Sequence, residues 1–263
     1  MNIDLSRPEV IIGAPLCRRT SFVLDKFLSN QKEIQQAYPN CRLVLATDEP
    51  DFIAELKQQI DYYNLKGEAI TYETVKPEYA RSRIWSVTSG REILRQYALS
   101  RGAEYLLSLD CDMVYDPSVI NIMKEKILGF GVVFSAHRLR PAGKWGLGNG
   151  CLMFDRETLS KITFICYEFK NGETLDDSEA IVLELFRCRA RVNRGIFVSF
   201  KHYLSREEYF ADEPQPLGWF RVITSNPVVR YLIARMSILF KYNIARKLFD
   251  RLYNQAKPEL EGE

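Results

Sequence analysis

Short apolar segments alternate with longer amphipathic ones, and this alternation constrains the fold more than any other feature of the sequence. The segments "VIIGAP" at 10–15 and "RLVLATD" at 42–48 have the length and composition of buried strands. The segments "SFVLDKFLSNQKEIQQAY" at 21–38 and "PDFIAELKQQIDYY" at 50–63 have helical spacing. Strand and helix in alternation predict an α/β fold, in which helices cover a mostly parallel sheet.

The alternation continues through the rest of the first 200 residues. Further strands are predicted at 68–73, 103–109, 131–136, 151–154 and 195–200, and further helices at 84–100, 115–128 and 176–189. Asp116 is the predicted cap of the helix at 115–128, and Pro117 lies in its first turn. From about Pro214 onward the pattern is helical only, so we expect a catalytic domain at 1–213 and a helical extension at 214–263.

Composition limits the classes of function. The chain has 263 residues, of which 46% are hydrophobic, and this is enough for one large domain with an appendage. A net charge of +2 gives no overall attraction to nucleic acid. The six cysteines lack the close pairing of a zinc site, which favours reduced thiols in a cytoplasmic protein. No apolar segment has the roughly 18 to 20 residues that span a bilayer.

Two carboxylates follow the predicted strand at 103–109. In "EYLLSLDCDMVYDP" at 104–117, Asp110 and Asp112 stand one residue apart at the strand's carboxyl end, where open parallel sheets bind ligands. Such a pair can face a divalent cation that neutralises phosphate oxygens. The alternative is that both residues belong to a turn, where Asp is common.

Other strand ends also carry polar groups. The first strand ends in "APLCRR", the second in "TDEP", and His202 follows the last predicted strand. Parallel strands end at the same edge of a sheet, so these polar groups are able to converge on one site. A turn-forming role of the Asp pair does not explain such convergence.

These motifs resemble the nucleotide-sugar glycosyltransferases of the GT-A fold, most closely the glycosyltransferase family 2 type. The resemblance covers roughly residues 8–203. It implies that Asp48 contacts the nucleobase of the donor. It also places Pro15 and the basic pair Arg18 and Arg19 in the first nucleotide loop.

The resemblance assigns a metal site to the Asp pair. It implies that Asp110 contacts the donor and that Asp112 binds a Mn²⁺ or Mg²⁺ ion that bridges the diphosphate. His202 stands where related enzymes often supply a metal ligand, although a lone histidine is more often structural. Arg91 of "SGREIL" matches a donor-binding arginine, whereas Glu92 replaces the asparagine of that signature.

The segment "GLGNGCLMF" at 146–154 is similar to the glycine-rich segment that lines the donor sugar and acceptor. Gly148, Asn149 and Gly150 are the corresponding donor-binding residues, since small residues let the backbone approach a ligand. Trp145 could stack on a sugar ring or could pack its loop onto the core.

"TLDDSEA" at 174–180 resembles the acidic signature of the catalytic base in inverting members of the family. The resemblance makes Asp177 the base and Asp176 its neighbour in the site. Asp176 and Glu179 also form a capping-box pattern, which explains one of the two acids by a helix start alone.

Two other classes of function remain open at this point. "LLSLDCDMV" also fits a haloacid-dehalogenase-like phosphatase, in which Asp110 would be the nucleophile and Asp112 the acid and base. In that class the nucleophile normally follows the first core strand, whereas three strands precede it here. The other alternative is a nucleotide-sugar-binding module without catalysis.

The C-terminal extension is basic and apolar. Residues 227–257 contain one acidic residue among many large apolar and basic ones. Such helices either lie on an anionic membrane surface or pack on the catalytic domain or a second copy of the chain. The expected partners of the site are a UDP- or GDP-sugar and an acceptor that the sequence does not identify. The tail is expected to contact either a membrane surface or a second copy of the chain in a homo-oligomer.

Overall fold

The protein is an α/β structure with one large sheet and a small accessory sheet. The computed structural model describes residues 8–135, 150–169, 171–175, 177–195, 197–203, 205–211, 239, 242–243 and 246–251. The predicted fold class is confirmed, because a mostly parallel sheet lies between two layers of helices. The boundary predicted at 213 and 214 lies outside the described residues.

The strands are short and the helices are of ordinary length. The described strands are β1 (Val10–Pro15), β2 (Cys41–Thr47), β3 (Gly67–Thr71), β4 (Tyr105–Leu109), β5 (Met113–Tyr115), β6 (Val132–Ser135), β7 (Cys151–Asp155), β8 (Val192–Gly195) and β9 (Phe200–His202). The α-helices are α1 (Leu24–Ala37), α2 (Ile53–Tyr62), α3 (Ile84–Ser100), α4 (Val119–Ile127), α5 (Arg156–Lys161), α6 (Asp177–Arg187) and α7 (Arg206–Ala211). Short 3₁₀ helices precede α1 and α2 at Arg18–Val23 and Pro50–Phe52.

The large sheet has the strand order β3-β2-β1-β4-β7-β6-β8. Strands β1 to β4 pair in parallel, and β6 pairs in parallel with β8, whereas β7 runs antiparallel to both of its neighbours. The carboxyl ends of β2, β1 and β4 therefore lie side by side at one edge. A ligand site is expected at this edge in an open α/β sheet.

Side chains alternate between two apolar layers, one on each face of the sheet. On one face Ile12 packs in a cluster with Phe27 of α1, and on the other Ile11 packs in a cluster with Leu94 of α3. Gly13 lets α3 approach closely, since a Cβ added there would lie 3.3 Å from the Cβ of Leu94. This close packing fixes α3, which carries Arg91, against the central strand.

Three local predictions were wrong. The residues "GIFVSF" at 195–200 do not form one strand, because β8 ends at Gly195 and β9 begins only at Phe200. Helix α4 begins at Val119 with Ser118 at its N-cap, so Pro117 precedes the first turn and Asp116 is not the cap. Asp116 lies two residues earlier, and its Oδ1 accepts a bond from the Ser118 backbone N–H at 2.8 Å.

Strand β5 and helices α5 and α7 were not predicted. Strand β5 pairs with β9 in a separate antiparallel sheet, with Met113 opposite His202. Each of these three elements has three or six residues, which is too few for a hydrophobic period to be visible.

The described residues of the C-terminal extension contact the α/β fold. The Tyr242 ring stacks on the ring of Phe186 in α6, with centroids 3.8 Å apart. Phe249 meets Tyr167 edge to face at 5.2 Å, and Arg251 pairs with Glu173 at 3.2 Å. No helix in the described ranges is long and apolar enough to span a bilayer.

The stacked pair predicts a measurable coupling between tail and domain. In a double-mutant cycle of Phe186→Ala and Tyr242→Ala, we expect a coupling energy of about 0.5–1.5 kcal/mol, as for other aromatic pairs. Urea unfolding of the four chains measures it. A coupling of zero would mean that the tail does not dock through this contact in solution.

Candidate active site

The turn from β4 into β5 forms the centre of the candidate site. The backbone N–H of Asp110 donates to the Gly150 carbonyl at 3.0 Å. The Tyr115 hydroxyl also bonds to that carbonyl, and it lies 3.1 Å from both the nitrogen and the carbonyl oxygen of Asp110. Tyr115 therefore ties the first residue of the Asp pair to the start of β7.

Arg91 joins two of the predicted site carboxylates. Its side chain comes from α3 and is only 4% exposed. One guanidinium nitrogen donates to Asp110 Oδ1 at 2.8 Å, and the other donates to Asp177 Oδ2. Elements that are distant in sequence, namely α3, the β4–β5 turn and the start of α6, thus meet at a single guanidinium.

Opposing effects act on the pKa of Asp110. Burial raises the pKa of Asp110 most strongly, the positive charge of Arg91 lowers it, and the neighbouring Asp112 carboxylate raises it again. The net pKa lies above the ordinary value. The Arg91 guanidinium is therefore the main group that favours the ionised carboxylate.

Asp112 and His202 are held together by the small β5–β9 sheet. The backbone N–H of Tyr203 donates to the Asp112 carbonyl at 3.0 Å, next to the pairing of Met113 with His202. His202 Nε2 lies 3.3 Å from Asp112 Oδ2. The other carboxylate oxygen, Oδ1, is buried and has no hydrogen-bond partner among the described residues.

This pair fits one side of a divalent cation site. A buried carboxylate oxygen without a donor suits a cation, and carboxylate with imidazole is a donor set that Mn²⁺ accepts. No group of three or more His, Cys, Asp or Glu residues in the described ranges is arranged to hold a metal. Magnesium-type sites in phosphate chemistry commonly use one or two protein ligands, with phosphate oxygens and water completing the shell.

The residues predicted for the nucleotide lie at the ends of β1 and β2. Asp48 Oδ2 accepts a hydrogen bond from the Thr74 hydroxyl at 3.1 Å. Pro15 packs against Gly90 of α3, where an added Cβ would come within 2.9 Å of the Pro15 ring. The donor-binding roles of Pro15 and Asp48 remain predictions.

Arg18 is engaged by acidic residues of the β2–α2 connection. Its backbone N–H donates to Glu49 at 2.9 Å, and its guanidinium contacts Asp51 at 3.4 Å and Glu55 at 3.0 Å. These acids already neutralise the guanidinium charge of Arg18, which was predicted to contact the donor. The predicted contact of Arg18 with the donor requires some of these surface ion pairs to open.

Several predicted site residues lie outside the described residues. They are Gly148 and Asn149 of the glycine-rich segment, together with Trp145 and Asp176. Gly150 is described, and its carbonyl accepts a hydrogen bond from the backbone N–H of Asp110. Asp177 is described as the first residue of α6.

Glu168 is a further buried polar residue that the sequence did not reveal. Its carboxylate accepts bonds from the Arg81 N–H at 2.8 Å, the Ser82 N–H at 3.1 Å and the Trp85 indole at 2.8 Å. Burial opposes ionisation of Glu168, but these donors lower its pKa below the ordinary value. The carboxylate thus fixes the chain that enters α3, and a lone Glu in "ICYEFK" gave no signal of this.

Comparison with solved structures identifies the fold. The chain matches TarS of S. aureus with a TM-score of 0.52 at 11% identity, over 77% of this chain and 38% of TarS. It matches the mannosyltransferase PcManGT from Pyrobaculum calidifontis, solved with GDP-Man and Mn²⁺, with a TM-score of 0.51 at 12% identity, over 97% of this chain and 79% of that one. A TarS fragment in complex with UDP matches with a TM-score of 0.50 at 11% identity, over 77% of this chain and 62% of the fragment.

Sequence comparison adds no closer relative. No family model matches the chain, and no curated protein matches it. The chain spans less than two fifths of the length of TarS. What the comparisons establish is the fold: the predicted resemblance to GT-A glycosyltransferases holds at the level of structure.

Proposed function

We propose that the chain is a glycosyltransferase that moves a sugar from a UDP- or GDP-sugar to an acceptor hydroxyl. The observation that carries this proposal is the pair of linked contacts at one sheet edge. Arg91 joins Asp110 to Asp177, and Asp112 lies beside His202. These contacts fix the position of the β4–β5 turn, which would bind the donor, relative to Asp177, the candidate base.

The donor would bind across the ends of β2, β1 and β4. PcManGT was solved with GDP-Man and Mn²⁺, and a TarS fragment with UDP, which supports a nucleotide-linked donor on this fold. Asp48 would contact the base, and Asp112 with His202 would hold Mn²⁺ or Mg²⁺. Such an ion supplies positive charge to the leaving diphosphate.

Asp177 would act as the general base of an inverting transfer. Its carboxylate takes the proton of the acceptor hydroxyl as that oxygen bonds to the anomeric carbon. The bond between the anomeric carbon and the diphosphate oxygen breaks on the opposite face, and the electron pair leaves with the diphosphate. Arg91 donates to the Asp177 carboxylate and thereby fixes its orientation.

The position of Asp110 in the sheet favours this assignment over a phosphatase. In a phosphatase of the haloacid-dehalogenase type the nucleophile normally follows the first strand of the core domain, whereas Asp110 follows β4. Hydrolysis of p-nitrophenyl phosphate by the chain would support the phosphatase.

A panel of UDP- and GDP-sugars, each with Mn²⁺ and with Mg²⁺, tests the proposed function. We expect slow hydrolysis of one donor class, because water can replace the acceptor. Nucleotide binding without any turnover, with or without candidate acceptors, would instead indicate a binding module.

Replacement of Arg91 tests the bridge between the two carboxylates. We expect Arg91→Lys to lower the turnover of sugar transfer at least about 10-fold, because an ammonium group cannot reproduce the planar fork that contacts both acids. Steady-state kinetics and nucleotide titration separate turnover from donor affinity. Arg95→Lys, one turn further along α3 and paired with Glu92, is the matched control. Equal turnover in the two variants would contradict the bridging role.

A further inference from the structure

Glu168 precedes the candidate base Asp177 by nine residues and binds the chain that enters α3. It is only 7% exposed. Its Oε1 accepts a hydrogen bond from the Arg81 backbone N–H at 2.8 Å. Its Oε2 accepts from the Ser82 backbone N–H at 3.1 Å and from the Trp85 indole N–H at 2.8 Å. Both carboxylate oxygens are therefore engaged by one short segment of the chain.

The start of α3 contains no acid of its own. The first turn has no Asp or Glu, and the N-cap residue Arg83 makes no side-chain hydrogen bond to the helix. Arg81 and Arg83 place two positive charges close to the positive end of the helix dipole. Glu168 supplies, from a distant part of the sequence, the negative charge that this helix end lacks. The contact therefore anchors the segment of Glu168 to the start of α3.

Glu168 belongs to a short hairpin that leads into α6. It forms an antiparallel bridge with Thr174, and the Leu175 backbone N–H donates to the Tyr167 carbonyl at 2.9 Å. Leu175 is fully buried, and α6 begins two residues later at Asp177. The position of Glu168 is thus transmitted to the start of α6 through paired backbone.

Helix α3 contacts this part of the chain at a second point. Arg91 donates to Asp177 Oδ2 and to Asp110 Oδ1. Trp85 and Arg91 are six residues apart, which is about 9 Å along a helix. The hairpin and the start of α6 are therefore attached to one helix at two separate points. With the Arg91 contact alone, the segment could rotate about that contact, whereas two attachments fix its orientation.

We propose that Glu168 is a positioning residue for sugar transfer, because it ties the hairpin to the start of α3 and thereby sets the Asp177 carboxylate against Arg91. The proposal rests on the proposed function, in which Asp177 is the base, and Glu168 acts through that base. Glutamine cannot replace Glu168 fully. Both carboxylate oxygens accept from N–H donors, so an amide nitrogen in either place would face a donor, and one attachment would be lost.

The kinetics of Glu168→Gln, made in the parent chain and in Asp177→Asn, test this role. In the parent we expect turnover to fall about 10-fold or more, because rate falls steeply when a reacting group is misplaced. The affinity for nucleotide diphosphate with Mn²⁺ should stay unchanged. In Asp177→Asn, the same substitution should change the residual turnover less than about twofold, because residues that act through one group are not additive. A loss as large in Asp177→Asn as in the parent would overturn the proposal.

Glu184→Gln is the matched control. Glu184 of α6 is 4% exposed, accepts from the Thr163 N–H at 3.3 Å and pairs with Arg187. Its replacement should lower the Tm but keep the turnover of the parent. If Glu184→Gln loses as much turnover as Glu168→Gln, general loosening of α6 explains both variants and the proposal is wrong. Full turnover in Glu168→Gln would contradict it as well.

Amide hydrogen exchange over residues 171–187 gives a readout that does not need activity. We expect Glu168→Gln to speed exchange in the hairpin and in the first turn of α6 at least about tenfold, since a hydrogen bond to a charged group contributes about 1.5–3 kcal/mol. If the parent chain turns over no donor, the proposed function fails, but the exchange data still decide whether Glu168 holds this segment. Unchanged exchange in Glu168→Gln would refute the positioning role, whatever reaction the chain performs.

Discussion

Asp177→Asn is expected to lower sugar transfer about 10²- to 10⁴-fold, the usual contribution of a positioned general base. The affinity for nucleotide diphosphate should stay nearly unchanged, because the base acts on the acceptor hydroxyl and not on the diphosphate. The amide keeps the size of the carboxylate, and Arg91 keeps its contact with Asp110. We therefore expect a folded protein with a modestly lower Tm. Transfer rates at saturating donor, together with calorimetry of the nucleotide, measure both effects.

Two Asp→Asn variants serve as controls. Asp155 caps α5 through the Thr158 N–H at 2.7 Å, and asparagine caps about as well, so Asp155→Asn should keep its activity. Asp176→Asn decides which acid is the base. If Asp176→Asn loses transfer and Asp177→Asn keeps it, the base is Asp176. If both keep full transfer, the inverting mechanism proposed for this chain is wrong.

The central fold could be predicted because its strands and helices are long enough to have a period. Helix α3 was predicted over the residues that form it, 84–100, and β1 over 10–15. In both, burial fixes which positions are apolar, and that requirement appears directly in the sequence. The small sheet has no such signal, since β5 and β9 have three residues each and depend on pairing across about 90 positions of sequence.

The contacts of charged residues were less predictable than their identity. Arg91 was predicted to bind the donor, but its present partners are Asp110 and Asp177. Each partner is placed by a different element, and only the packed fold decides which carboxylates a long side chain reaches. Arg194 gave no signal at all, because a basic residue in a short segment usually lies in solvent, and its burial was therefore not predicted.

Asp112→Asn should have the second large effect, which is the loss of metal-dependent donor binding. We expect the affinity for UDP or GDP with Mn²⁺ to fall at least about 10-fold, since even changes behind the direct ligands of a metal cost 10- to 100-fold. An amide oxygen carries no net charge, and the buried Oδ1 position without a partner would lose its attraction for a cation. Calorimetry of nucleotide diphosphate with Mn²⁺ and with chelator measures this for both chains.

The matched control is Asp116→Asn, four residues further along. Asp116 Oδ1 accepts bonds from the backbone N–H of Ser118 at 2.8 Å and from its hydroxyl at 2.5 Å, and an amide oxygen can accept both. This variant should therefore keep the metal-dependent affinity of the parent. Because the chelator removes the cation from every chain, Asp112→Asn should show the same weak affinity with and without it. If the parent chain also binds nucleotide equally well in chelator, then Asp112 and His202 form only a structural pair, and the donor diphosphate must be neutralised by basic residues.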